Sequence, residues 1–446
     1  VSDRLNDLAI ADFLLFGMNY DPASTSFADI HRLPRAHFLR WSRSGVYLRE
    51  YWRPPTDGVI HYRRRQDYVE HFNELFTEAV DDRLRTDGVG ILLSGGLDSS
   101  SVAAVAHELR KEKYPALELH AFTSTYQNAS SDSDPSAART VASAFQIPLH
   151  LSVVDSVGIL EGWDDPNMHW PEPIDDPFAG SFLGEFKTIS AKAHVLLSGE
   201  GADNLMAFEM TQHFRCLWRE GRSGRALADL AEHVLRRFQA PDGLRGSLRR
   251  IRHLFSAHES RTLFPDWMQP ELVARLDLKG RWKNPLDNLP WNVHMHHPKA
   301  YGSLFLPQWD LMFQHEDAGF TRQPVEVRYP FLDLRLVNFL LAIPSLPWFF
   351  RKHLLRKVMR GRLPETIRIR PKTPFRGEPL LAALRHERTK PLLKMQRAEQ
   401  FEHYIDEGKV PSLAGEMSFE EAELGIRPIC LNFWLLSLSR KDTEKK

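Results

Sequence analysis

Gly90-Ile91-Leu92-Leu93-Ser94-Gly95-Gly96-Leu97-Asp98-Ser99-Ser100-Ser101-Val102-Ala103 sets a short apolar run, a Ser-Gly-Gly turn and a helix start in succession. The run from Val89 to Leu93 predicts a buried strand and Ser100 to Arg110 a helix, so the turn falls at a strand-to-helix junction. A phosphate fits there. Gly95 and Gly96 let the backbone approach an anion, consecutive amide hydrogens can form a nest, and the helix N-terminus adds its positive end. Ser94, Ser99 and Ser100 bring hydroxyl donors, which makes Ser94 to Ser100, Leu97 included, the candidate nucleotide-binding segment. Asp98 would repel a bare pyrophosphate and so implies a bridging Mg²⁺. No Lys follows the glycines, unlike the Walker A pattern. The competing reading is a tight turn capped by serines.

The chain has 446 residues, long enough for two large units and a substantial core. Lys+Arg and Asp+Glu number 58 each, so the charge balance argues for neither a nucleic acid nor a bilayer as partner. Two cysteines, Cys216 and Cys430, exclude a disulfide framework and a multi-cysteine zinc site. They fit a reducing compartment, and with no span-length apolar run the expectation is a cytoplasmic protein.

Outward from the loop, Leu8–Gly17 reads as a helix, and 36–41 and 45–52 as short strands. Asp67–Arg85 reads as an amphipathic helix leading into the loop's strand. Strand-like runs at 117–122, 149–154 and 194–198 alternate with helical stretches such as 137–145, the pattern of a parallel α/β sheet. Ligands of such sheets gather at the carboxyl ends of the strands, where Ser94 and Thr123 fall. Residues 215–252 read as arginine-rich helix, with Leu217, Leu227, Leu230, Val234 and Leu235 as its buried face. His294, His296 and His297 lie in a Trp/Pro/Asn-rich stretch read as a loop, at a spacing that fits no helical ligand pair.

Ser94-Gly-Gly-Leu-Asp-Ser99 resembles the PP-loop of ATP pyrophosphatases, and with its strand it is most similar to the asparagine synthetase superfamily. The resemblance implies a PP-loop sheet over 54–215, a mostly helical remainder over 216–446, and a short β-rich remnant of a glutaminase-like domain over 1–53. Leu197-Ser-Gly-Glu-Gly-Ala-Asp203 matches the family's second signature. By that match Gly199 and Glu200 line the adenylate and acyl pocket, and Asp203 is a second Mg²⁺ ligand beside Asp98. Val325-Glu-Val-Arg-Tyr-Pro-Phe-Leu-Asp333 resembles a third segment, in which Glu326 is the candidate base for the incoming amine; a salt bridge to Arg328 or Arg322 is the alternative. Asp333 reads as the cap of the helix that follows it. Lys352 in Lys-His-Leu-Leu-Arg356 and Lys372 in Arg-Pro-Lys-Thr-Pro-Phe375 match the family's lysines and supply the cations the loop lacks.

The chemistry implied is ATP-dependent formation of an amide through an acyl-adenylate, as in asparagine synthesis. Two segments depart from the asparagine synthetase pattern, Trp170-Pro-Glu-Pro-Ile-Asp-Asp-Pro177 and Asn204-Leu-Met-Ala-Phe-Glu209. They bring the chain closer to β-lactam synthetases and lasso-peptide cyclases, which use an amine of the substrate itself. A leader peptide and a protease would then be partners. The competing class is a non-catalytic homologue that binds ATP or a peptide. The Val1 start is what a fragment or a mis-started reading frame would give. Glutaminase-like domains use an N-terminal Cys as nucleophile, and this chain has no Cys before Cys216. The purified chain is therefore expected to release no glutamate from glutamine, and an amino-acid assay showing release would overturn that.

Overall fold

The seven strands of the described residues fall into two groups. β1 (His37–Ser42) and β2 (Gly45–Glu50) pair antiparallel with each other alone. β3 (Gly88–Leu92), β4 (Glu118–Thr125), β5 (Leu149–Val153), β6 (Val195–Leu197) and β7 (Glu326–Arg328) form a parallel sheet in the order β5-β4-β3-β6-β7. The computed structural model describes all residues except 1–2, 127–134, 155–157, 162–169, 239–263, 372–378, 386–388, 390–395, 414, 416 and 445–446. The fold is the α/β class expected, with a helical C-terminal part. β7 has no counterpart in the sequence reading, because three residues are too few to show alternation.

β3 is central because it can be buried on both faces. Val89, Ile91 and Leu93 are buried. A Cβ at Gly90 would come within 2.8 Å of Leu196 and 3.0 Å of the Phe122 ring, so neighbouring side chains close over the glycine. Helix α3 (Leu97–Glu112) lays Val102, Ala103, Val105 and Ala106 into the same core, small residues that let it lie close to the sheet. From β3 the chain steps outward to β4 and β5, then returns to place β6 on the other side of β3. The loops after β3 and β6 therefore diverge and leave a crevice at their carboxyl ends, the usual ligand position in such sheets.

The helices Leu334–Ala342 and His353–Val358 extend this core. The first is capped as the sequence implied: Asp333 accepts from the Arg335 amide at 3.0 Å, and also from the Arg83 guanidinium at 2.9 Å.

A second core joins the two ends of the chain. Helix α1 (Asp7–Phe16) is buried from Ala9 onward and packs with the long helix Phe419–Glu444 around Phe13, Phe401, Tyr404 and Trp434. Its buried Asp12 takes a two-pronged ion pair from Arg281. Within residues 1–53, then, α1 belongs to the C-terminal core, whereas the β1–β2 hairpin is exposed along nearly its whole length. No described helix is long and apolar enough to cross a membrane.

The arginine-rich region forms α7 (Met210–Arg219) and α8 (Ser223–Phe238). Here the expected buried face is corrected. Leu217 is buried, but Leu227, Leu230, Val234 and Leu235 are exposed, and α8 turns Asp229 and His233 inward instead. Asp229 is held by His213 of α7 at 2.9 Å, a contact that turns this face of α8 toward α7, and by Arg225 of its own helix at 2.9 Å.

Burial pushes His315 and His294 down to about 4 and His297 to about 3, so all three imidazoles are neutral in the fold. A histidine with a depressed folded pKa destabilises as pH falls from its unfolded value near 6.5 toward the folded one, because only the unfolded chain takes up the proton. Melting temperature should fall steadily between about pH 6.5 and 4. His315 stacks on Phe320 and its buried Nε2 has no hydrogen-bond partner. His315→Phe should therefore raise stability at pH 5 more than at pH 7.5; equal effects in thermal melts at both pH values would refute the assignment.

Candidate active site

The loop after β3 is closed by its own serines. The Ser94 and Ser99 hydroxyls are 3.0 Å apart, the Ser94 amide donates to Ser99 Oγ at 3.3 Å, and the Gly96 amide donates to Ser94 Oγ at 3.3 Å. Gly95 has φ +71°, and a Cβ on it would meet the Ala138 amide nitrogen at 2.5 Å, so glycine is needed there twice over. α3 starts at Leu97 with no side-chain cap, which leaves its first-turn amides for a ligand. Leu97 packs its side chain against the core and offers only backbone to the loop.

The loop after β6 presses onto the first. A Cβ at Gly199 would lie 2.7 Å from the Ser99 amide nitrogen, and Gly201 has φ +94°. The exposed Glu200 donates its amide to Ser198 Oγ at 3.2 Å. Asp203 follows in the short helix α6 (Ala202–Leu205). The two signatures, over 100 residues apart in the chain, are thus in backbone contact.

Between them stands Lys352. Its Nζ lies 2.5 Å from Asp98 Oδ2 and 2.5 Å from Asp203 Oδ1. The carboxylates expected to hold Mg²⁺ therefore converge on one cation position, with oxygen donors of the kind a hard divalent ion takes. No group of three or more metal-ligating side chains occurs among the described residues. A pair of carboxylates completed by substrate phosphates is what Mg²⁺ commonly uses, so the residues fit the ion. Lys352 reaches this point from a backbone that is left-handed at two successive non-glycine residues, Arg351 (φ +52°) and Lys352 (φ +53°), at a cost of roughly 1–2 kcal/mol each. Lys372 lies outside the described residues.

Three sequence expectations meet a different geometry. Ser100 is completely buried, so its hydroxyl does not face the crevice. Thr123 is buried and donates its hydroxyl to the Leu93 carbonyl, which ties the end of β4 to the base of the loop. Glu326 stands level with Val195, at the amino end of the sheet; four residues, roughly 13 Å of strand rise, separate that level from Gly199. It is exposed and bound two-pronged by Arg328 at 2.9 Å, whose hydrogen bonds hold its pKa below the usual range. The geometry is that of the salt-bridge alternative, because a parallel strand keeps its amino end away from the ligand edge.

Two further residues emerge only in three dimensions. Burial, with Glu200 acting on it, pushes Glu316 up to about 8, and its Oε2 is buried with no hydrogen-bond partner. Glu209 caps the helix Pro298–Ser303 by accepting from the Lys299 amide at 2.8 Å. Beside Asp203 opens a cleft of about 600 Å³, lined by Asn204, Ala207, Glu209, Trp291, Asn292 and Lys299. One departing segment, 204–209, therefore forms its wall. In the other, Glu172 binds Arg32 at 2.6 Å and the Ser26 amide, and Asp175 lies against Gly17 and 3.7 Å from Arg427. Those contacts go to the N-terminal segment and the second core.

The asparagine synthase family profile matches residues 71–432. Among characterised proteins, the chain is similar to asparagine synthetase [glutamine-hydrolyzing] 3 of Bacillus subtilis (strain 168), 24% identical over 84% of this chain and 59% of that one. It is also similar to asparagine synthetase [glutamine-hydrolyzing] 2 of the same organism, 25% identical over 82% and 48%. Amidase chry2 of Gibberella zeae is 23% identical over 76% and 57%. The matched stretch spans about half to three-fifths of these relatives.

The bridge gives a test independent of any substrate. Lys352→Met leaves two carboxylates facing each other and should lower stability in EDTA by about 1–2 kcal/mol, since Asp203 is half open to water. Millimolar Mg²⁺ should restore more of that loss than it adds to the wild type. Equal Mg²⁺ shifts in thermal melts of both would show that the carboxylates do not form a shared cation site.

Proposed function

The chain belongs to the asparagine synthase family, and from that premise we propose that it is an ATP-dependent amide ligase working through an acyl-adenylate. A substrate carboxylate oxygen attacks the α-phosphorus of ATP and the bond to pyrophosphate breaks. An amine then attacks the acyl carbon, and AMP leaves. The observation that carries this reading is the convergence of Asp98, Asp203 and Lys352 where the two glycine loops meet.

In this reading the loop amides of Ser94 to Ser99 and the first turn of α3 hold the phosphates. The Lys352 ammonium leaves the carboxylates to meet charge growing on the departing pyrophosphate, where a positioned cation favours the transition state over the ground state. Mg²⁺ held by Asp98 and Asp203 would neutralise that same charge. The amine must shed a proton. Glu326 does not fit the role of its acceptor, being exposed, held by Arg328 and placed at the amino end of the sheet.

Asparagine formation from aspartate is the family's reading. The cleft beside Asp203 favours a second one. That cleft is wide open to solvent and lined by Trp291, Asn292 and Lys299, which leaves room for a peptide or other bulky carboxylate carrying its own amine. That is the macrolactam or β-lactam type of closure, with a leader peptide and a protease as partners for a peptide substrate.

Incubation with MgATP and either aspartate plus ammonia or candidate peptides should yield AMP and pyrophosphate in equal amounts with the amide. Formation of ADP and phosphate, or no nucleotide cleavage with any substrate, would overturn the proposal. Lys372→Ala should abolish ligation with the fold retained, read by the same assay and by circular dichroism.

A further inference from the structure

Lys352 sits on a turn that a second cation, Arg356, holds through its backbone. Arg356, four residues on in the helix His353–Val358, turns its guanidinium back on the chain. Its Nε donates at 2.8 Å to the carbonyl of Arg351, the residue immediately before Lys352. Its other two nitrogens donate to the carbonyls of Arg368 and of Arg370, the latter at 3.0 Å. Arg368 answers by donating to the Arg356 carbonyl at 3.2 Å. One planar fork thus joins the left-handed turn that carries Lys352 to the turn at 368–370.

The cost of this arrangement shows that it is not incidental packing. The three hydrogen bonds Arg356 donates here go to neutral carbonyls, while burial and the cations Arg351 and Arg368 beside it hold its pKa below the usual guanidinium value against the opposing pull of Asp98. The Arg351 and Lys352 backbone occupies a region that non-glycine residues seldom adopt, and such a conformation persists only where surrounding contacts over-determine it. The Arg356 bond to the Arg351 carbonyl is a contact made on that very peptide.

We propose that Arg356 is the positioning residue for Lys352: it clamps the left-handed Arg351–Lys352 turn to residues 368–370 so that the Lys352 ammonium is delivered between Asp98 and Asp203. Lysine cannot replace it, because an ammonium is a point donor and three carbonyls spread over two segments require a planar fork. The inference rests on the ligase reading for the purpose of the clamp, whereas the clamp itself is tested by binding alone.

The experiment is a double-mutant cycle on the whole chain, with MgATP and magnesium pyrophosphate as titrants in calorimetry. Arg356→Lys should weaken magnesium pyrophosphate binding by roughly tenfold, with little change in melting temperature. In the Lys352→Met background, Arg356→Lys should cost nothing further, because a residue that acts through Lys352 has nothing left to position. Arg356→Met, which also removes the charge, should behave as Arg356→Lys does in both backgrounds. Additive losses in the double variant, or wild-type affinity in Arg356→Lys, would overturn the clamp while leaving the ligase reading intact. A wild-type chain that binds neither titrant would overturn both.

Discussion

Two carboxylates on loops from different strands repel each other unless a cation stands between them, and Lys352 supplies that cation. Asp98 is placed by the turn after β3 and Asp203 by the turn after β6. Those strands are neighbours only because the chain reverses direction across the sheet at β3. The tight glycine contacts, the left-handed turn at 351–352 and the position of the helix His353–Val358 all serve that one meeting point. Remove the reversal and the carboxylates fall on distant edges.

The same dependence explains why the catalytic elements come from widely spaced parts of the chain. The sheet provides backbone amides and carboxylates, which are local features of strand-to-helix turns. It does not provide cations, since neither glycine loop contains a lysine or an arginine. In the reaction proposed above, a cation brought in from the helical part would exchange that pairing for a phosphate. The strained backbone at Arg351 and Lys352 is consistent with that use, since a side chain that must change partners gains from a rigid origin.

The loop at Ser94 to Ser99 was readable from sequence because all its physics is local: a buried strand, glycines at a turn and an uncapped helix start. The parallel sheet was readable for the same reason, by alternation of strand and helix periods. What could not be read was direction and depth. Ser100 follows Ser99 in the sequence but faces inward one helical step later. Glu326 lies in a matching motif, yet its position along the strand puts it at the wrong end of the sheet, a fact of register that no local pattern carries. α8 has a leucine stripe on the usual spacing, and the fold turns it outward because Asp229 has its partner His213 on α7. Arg356 closes the Lys-His-Leu-Leu-Arg segment singled out for its lysine, but its own role was not legible, since it binds backbone carbonyls and any residue can supply those.

Helix α1 and the helix Phe419–Glu444 complete one core from opposite ends of the chain. On a ribosome adding about 5–20 residues per second, the first of these emerges roughly 20–80 s before its partner exists. For that interval the buried face of Ala9 to Phe16 lacks its C-terminal partners, although the parallel sheet and residues such as Trp170 and Arg281 that also pack on it are already made. Completion of this second core therefore waits for the last helix to be made, whereas the sheet core does not.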